Sequence, residues 1–521
     1  MTTKRLKTQR LFLLLSLISG LSLQAQDFKL IDKGAFTQDR LNTNGASFVD
    51  IDNDGDLDLF LTNANLPFGA NTIYRNDGDD MFTQVEAGEL TALQVASFGH
   101  SWADYDNDGL MDVFIANGFT RFGSLLYKNL GNFQFRRIES YNTANVGTLA
   151  FDAAWADYDN DGFVDLVTIH PANFVGKPVE SNGLFRNENG RSFSYQAGYP
   201  ITGPTAPFTN ATWTDYDLDG DMDLFIGAGP ANGTVAPDFH FRNMLKESGQ
   251  VSFQRITNQP IGTDGMDGQT WNWIDYDNDG DLDAFMTNYS GLPNPQGAPA
   301  GMLNCLYRND GDTLIKITEG PLVEELSVSL ANVWADFDND GYLDVIVGNA
   351  QNTNKLYHNN GDGTFTYVST SAIEAPGPKN TWGITYGDYD NDGDQDLYIT
   401  CKNGYVAPAP SGAELNYLYR NDLNNGNHWL TIKCVGSQSN QSAVGAIVRL
   451  RATINGRTMT QTRVIGSNNT FLGDNDIRAH FGLGNTATIE RIEIQWPSGV
   501  VDQMTNVPTD QIMTITEGQT N

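Results

Sequence analysis

The chain has 521 residues, 40% apolar and 18% charged, with 31 basic against 64 acidic residues and a formal charge of −33. That length accommodates two to four domains with buried cores. So acidic a chain is repelled by nucleic-acid phosphate and anionic membranes, while 11% aromatic content excludes a solvated disordered polyanion.

Residues 1–25 carry Lys4, Arg5, Lys7 and Arg10 ahead of an apolar run from Leu11 to Leu23, with the small Ala25 after it. This layout predicts a cleaved signal peptide, the run being too short for a membrane span. The expected location is secreted, periplasmic or cell-surface, with no transmembrane segment. Three Cys (Cys305, Cys401, Cys434) allow at most one disulfide, and no CxxC pair, HExxH or Cys/His cluster supports a zinc enzyme.

Phe28 to Asp32 reads as an isolated strand. Beyond it one nonamer, D-x-D-x-D-G-x-x-D, recurs seven times at intervals of 52 to 61 residues, starting at Asp50, Asp104, Asp157, Asp215, Asp275, Asp336 and Asp388. Hard cations such as calcium take six to eight oxygens, which carboxylates at positions 1, 3, 5 and 9 with a backbone carbonyl near position 7 supply from one tight loop. The candidate ligands are Asp50, Asp52, Asp54 and Asp58; Asp104, Asp106, Asp108 and Asp112; Asp157, Asp159, Asp161 and Asp165; Asp215, Asp217, Asp219 and Asp223; Asp275, Asp277, Asp279 and Asp283; Asp336, Asp338, Asp340 and Asp344; and Asp388, Asp390, Asp392 and Asp396. Up to seven calcium ions are expected; magnesium, with its smaller octahedral shell, suits the loops less. Glycine at position 6 permits the backbone reversal. The loop resembles the first half of an EF-hand loop, but a strand rather than a helix follows it.

An aromatic stands two residues before each first Asp (Phe48, Trp102, Trp155, Trp213, Trp273, Trp334, Tyr386). Further on an aromatic, a basic residue and Asn recur, as in Tyr74-Arg75-Asn76 and Phe185-Arg186-Asn187. Recurrence in every repeat points to core packing for both marks rather than to a ligand site. Four short strands per repeat, seven times, predict an all-β, seven-bladed β-propeller over residues 26–425. The last repeat lacks its fourth strand, which the N-terminal strand would supply, closing the ring and hiding its edges.

The nonamers with their aromatic-basic-Asn partners resemble the FG-GAP/VCBS repeats of integrin-α-type propellers, whose blades carry calcium in such loops. Neither an Arg-Gly-Asp tripeptide nor a D-x-S-x-S site is present, so integrin function is not implied. Residues 426–521 resemble the ASPIC/UnbV family through Asn427 to Leu430, Gly445-Ala446, Phe471 to Asp476, His480 to Gly484 and Gln495 to Gly499. Alternating runs there predict a small β-sandwich-like domain, with His480 expected to be packed or hydrogen-bonded. The whole chain resembles cartilage-acidic-protein-like and related bacterial secreted proteins.

Three functions compete: an extracellular binding or adhesion module for a protein or glycan, a propeller-hosted lyase, hydrolase or natural-product biosynthesis enzyme, and a purely structural surface protein. Against the enzyme stands the lack of a triad, a nucleophile elbow or an acid/base pair outside the loops. No catalytic residue is assigned.

Overall fold

The computed structural model describes residues 28–520, apart from 35, 37–38, 65–68, 119–122, 140–149, 173–179, 230–235, 290–300, 312, 351, 370, 375–379, 403–413 and 468. The signal-peptide segment 1–25 lies outside the described residues. Among those described, no helix is long and apolar enough to cross a membrane, and the three cysteines are buried and unbridged.

Each repeat folds into one four-stranded antiparallel sheet, and seven such sheets occur among the described residues. The first blade comprises Thr43–Val49, Asp58–Asn63, Thr72–Asn76 and Phe82–Val85. Its innermost strand is buried at every position, and exposed positions fall on the fourth, as expected where blades cover both faces of the inner strands. Position 9 of each nonamer, for example Asp58 or Asp283, is the first residue of the second strand. The innermost strands of consecutive blades touch all the way round, from Thr43–Val49 through Ala96–Ala103 and so on to Thr381–Gly387, which returns to Thr43–Val49.

The seventh sheet takes its outer strand from the start of the chain. Phe28–Ile31 pairs antiparallel with Tyr417–Asn421, in the register Phe28 to Asn421 and Ile31 to Leu418. A propeller closed this way leaves no unpaired edge at the seam.

Blades pack through the aromatics. Phe48 stacks on Tyr389 of the preceding blade, Trp155 on Tyr105 and Trp213 on Tyr158, with centroids 6.2–6.5 Å apart and planes within 15°. In these three blades the residue two before the first Asp therefore cements its blade to position 2 of the previous loop, and Trp273 meets Tyr216 there at 5.3 Å.

The C-terminal domain is a two-sheet sandwich. One sheet orders Ala479–Gly484, His428–Val435 and Gln511–Thr516; the other orders Arg457–Val464, Ile447–Ile454, Thr488–Gln495 and Val501–Pro508. Leu430, Leu450, Phe481, Ile492 and Trp496 share the core between them.

Candidate metal centres

The seven nonamers form one repeated turn. The amide of the position-6 glycine donates to the position-1 carboxylate in every copy, from 2.6 Å (Gly109 to Asp104) to 3.4 Å (Gly55 to Asp50, Gly280 to Asp275). The position-7 amide donates to the position-5 carboxylate in every copy, at 2.9–3.1 Å. The glycines have φ between 91° and 103°, the left-handed region that glycine adopts without strain.

Position 9 is anchored twice. Its Oδ1 accepts the backbone N–H of the Asn in the aromatic-basic-Asn mark in all seven blades, at 2.7–2.9 Å. Its Oδ2 accepts the position-2 amide in the first, second, third, fifth and seventh. This Asp is thus a structural anchor as well as a candidate ligand. In the third and fourth loops its carboxylate also converges with positions 1 and 3 (Asp157, Asp159, Asp165; Asp215, Asp217, Asp223), with one oxygen from each within 4.8 Å of the others. In the first and second loops positions 1, 3 and 5 converge likewise.

One atom recurs without a partner. The Oδ1 of the position-3 carboxylate is buried and unbonded in six loops, at Asp52, Asp106, Asp159, Asp217, Asp277 and Asp338. A buried, unpaired carboxylate oxygen is costly, and at this spacing it fits a cation. Burial, reinforced by neighbouring carboxylates, pushes three position-1 acids upward, Asp104 to about 6, Asp157 to about 7 and Asp215 to about 8. Position 9 rises further, Asp58 to about 8 and Asp112 to about 9.

The aromatic-basic-Asn mark is only partly core packing. Its Asn is buried, and the side-chain amide ties its own loop to the preceding one; Asn76 Nδ2, for instance, donates to Leu57 O (3.2 Å) and Tyr389 O (2.8 Å). Its basic residue instead reaches out to the loop. Arg186 donates to Asp159 Oδ2 (2.5 Å) and Asp161 Oδ2 (2.7 Å), Arg242 pairs with Asp217, and Lys128 pairs with Asp106 and Asp108. In the second and third loops the basic group holds one oxygen of the position-3 carboxylate and leaves Oδ1 to the loop. Arg75 and Arg308 pair with Asp77 and Asp310 instead.

Position 4 carries a function that loop spacing alone did not reveal; the sign available was Asn in six of the seven copies. These residues lie at φ 54–65°, and each Asn side-chain amide donates to the position-6 carbonyl of the next loop: Asn53 to Gly109, Asn107 to Gly162, Asn160 to Gly220, Asn278 to Gly341, Asn339 to Gly393 and Asn391 to Gly55. The loops thus form a hydrogen-bonded ring, interrupted at Leu218.

The C-terminal domain sits on this ring. Four position-4 carbonyl oxygens meet it: Asn53 with Lys433 Nζ (3.3 Å), Asn107 with the Gln441 amide (2.8 Å), Asn339 with His480 Nε2 (2.8 Å) and Asn391 with Arg478 Nη1 (3.0 Å). His480 is therefore a docking residue. The turn around Thr470 to Asp474 enters the ring of innermost strands: Asp474 Oδ2 accepts from the Trp102 amide (2.8 Å), the Asp474 amide donates to Ser47 Oγ (2.8 Å), and Thr470 Oγ1 donates to the Ile384 carbonyl. Phe471 and Leu472 are wholly buried there, Phe471 against Phe151 and Trp382.

Two family models match the chain in this order of repeats and C-terminal domain. The FG-GAP-like repeat family matches residues 50–115, 104–168, 275–347 and 336–399, and the ASPIC and UnbV family matches residues 436–521. Cartilage acidic protein 1 of Homo sapiens is 21% identical over 496 residues, covering 87% of this chain and 69% of that protein. The Mus musculus protein is 22% identical over 333 residues, covering 60% of this chain and 49%, about half, of the relative's length. Among solved structures, the BP39L lectin from Burkholderia pseudomallei is 11% identical with a TM-score of 0.46 (72% of this chain, 99% of that chain), and the Dos1 propeller is 10% identical with a TM-score of 0.40 (75% and 95%). The two family models thus place FG-GAP-like repeats on blades of the propeller and an ASPIC and UnbV domain after them.

Proposed function

We propose that the protein is an exported binding module whose seven loops hold calcium and whose rigid ring presents a surface to an extracellular protein or glycan. The observation that carries the calcium reading is the position-3 carboxylate oxygen, buried and unpartnered at the same place in six loops. The nonamer supplies only oxygen donors, as calcium prefers, and the glycine turn gathers them within nine residues; in the sixth loop His358 also lies beside Asp338 and Asp340. Calcium would neutralise carboxylates that burial otherwise drives toward protonation.

The binding reading is favoured over catalysis by the fate of a Ser–His contact at the ring. Ser47 Oγ lies 2.7 Å from His100 Nε2, but both are fully buried and the hydroxyl already accepts the Asp474 amide. A nucleophile so enclosed has no approach for substrate.

Two measurements test the proposal. Calcium titration by calorimetry, with melting in calcium and in excess chelator, tests the loops; an unchanged melting curve removes calcium from the account. A protein and glycan array probed with and without calcium tests the binding role, and turnover of arrayed substrates without retention would favour an enzyme.

A further inference from the structure

The docked domain and the ring enclose a cavity of about 500 Å³ between the first and second loops, the turn that ends at Arg478 and the strands His428–Val435 and Gln511–Thr516. That volume is in the range of small-ligand sites, and such sites favour boundaries between folding units. Neither unit encloses the space alone; it forms where the position-4 asparagines and the Asp474 turn seat the domain on the ring.

Its lining is chemically two-sided. Phe48, Leu57, Trp102 and Met111 supply an apolar wall, while Asp50, Asp54, Asp104 and Ser442 supply oxygen acceptors. Two cations border it, and both are already matched: Lys433 Nζ lies 3.2 Å from Asp50 Oδ2, and Arg478 Nε donates to Asp476 Oδ2 at 2.7 Å. Both cations are matched, and a divalent ion in each loop would still leave four carboxylates against two positive charges, so an anionic ligand meets net repulsion. A purely apolar ligand would strip water from carboxylates without replacing its hydrogen bonds. A ligand with hydroxyl donors around an apolar face satisfies both walls.

We infer that this cavity binds a neutral polyhydroxylated ligand, a sugar residue or the end of a short glycan. The inference deepens the binding-module reading and rests on it. The hydroxyls donate to the carboxylates of the first two loops, and the ring carbons lie against the apolar wall. Thr514 and Ile512, exposed on the strand that rims the cavity, set the size of its mouth.

The test uses the full chain at saturating calcium. Calorimetry and saturation-transfer NMR are run with methyl glucoside, methyl galactoside, methyl mannoside and lactose, with glucuronate and putrescine as charged comparators. At least one neutral sugar is expected to bind, with glucuronate at least tenfold weaker and putrescine without effect. Thr514→Trp, which fills the mouth from an exposed position, is expected to weaken that binding at least tenfold with the melting temperature unchanged; Ile512→Trp serves the same purpose should the first variant fold poorly. Failure of every neutral sugar, preference for glucuronate or putrescine, or binding that survives both variants overturns the inference. A chain that retains array partners while the sugars fail loses only the cavity, whereas a chain without any partner loses the binding reading itself.

Discussion

Asn339 and His480 meet at 2.8 Å across the boundary between propeller and C-terminal domain, and the contact does three things at once. Asn339 Nδ2 also donates to Gly393 O (3.1 Å) and Asp394 Oδ1 (2.9 Å), so one side chain joins the sixth loop, the seventh loop and the docked domain. Burial holds the His480 imidazole neutral, its pKa pushed down to about 3, so Nε2 can donate while Nδ1 accepts from Thr431 Oγ1 at 3.1 Å. Asn339→Ala leaves buried donors and acceptors unmatched and is expected to cost about 1–3 kcal/mol. Melting and protease sensitivity of the 422–427 connection check it; resistance equal to the parent chain would show that the clamp does not hold the domain.

Gly45 tests the seated turn. A Cβ there would lie 1.8 Å from the Leu472 carbonyl oxygen, a backbone atom with no rotamer to yield. Gly45→Ala is therefore expected to lift the Thr470 to Asp474 turn from the ring, raising Trp382 exposure and lowering stability by several kcal/mol, on the order of a core overpacking or worse. Quenching of Trp fluorescence by acrylamide reads the exposure, and an unchanged quenching profile would contradict the seating.

The fifth loop separates ion chemistry from acidity. Asp277→Asn removes a charge from a position whose Oδ1 is buried and unpaired. In calcium it is expected to lower stability by about 1 kcal/mol, and in chelator to raise it, because repulsion among the carboxylates is relieved. Gly280 has φ 103° and open space where a Cβ would go, so Gly280→Val costs only backbone strain, about 1–3 kcal/mol, with or without the ion. Should Asp277→Asn stabilise the protein in millimolar calcium, the loop is an ion-free turn.

The pH dependence of the chelated protein follows from the raised carboxylates. Asp104, Asp157 and Asp215 have folded pKa values of about 6, 7 and 8 against 3.8 when unfolded. Between these limits the folded chain binds more protons than the unfolded one, so stability falls as pH rises. Their stabilising contribution is fully present below about pH 4 and is lost as pH climbs through 6 to 8. The melting temperature in chelator is expected to drop between pH 5 and pH 8, and calcium is expected to flatten that slope. A melting temperature in chelator that rises over this interval would be inconsistent with these burial-driven shifts.

Ring closure depends on four residues. Without Phe28–Ile31, the strand Tyr417–Asn421 becomes an unpaired edge and Phe337 loses the ring of Phe28, 5.6 Å away. The deletion is expected to aggregate on mild heating, detected by light scattering. Removing the domain after Asn425 uncovers Phe151 and Trp382 but leaves every blade paired, so its scattering onset is expected at higher temperature. The reverse order would mean that the seated turn, not the strand pairing, keeps the ring soluble.

The seven nonamers, the aromatic two residues before each and the orphan N-terminal strand were legible in the sequence, because each is a local pattern repeated at fixed spacing, and repetition exposes register. The loop turn was legible for the same reason, Asp and Gly recurring at one spacing, whereas the amides that meet each carboxylate were seen only in the structure. What the sequence did not show is how loops and domains meet. Arg186 reaching Asp159, Asn53 reaching Gly109, and Phe471 lodged against Phe151 and Trp382 join residues 27, 56 and more than 80 positions apart. The first pairing depends on how the third strand folds back along its own blade, and the other two depend on the angle at which neighbouring blades are set and on where the C-terminal domain is seated, quantities that arise only when the ring closes. Tertiary structure alone therefore decided that position 4 is a clamp, that the basic residue faces the loop rather than the core, and that the C-terminal turn occupies the ring, since each is a contact between segments whose spacing in the chain carries no information about their distance in space.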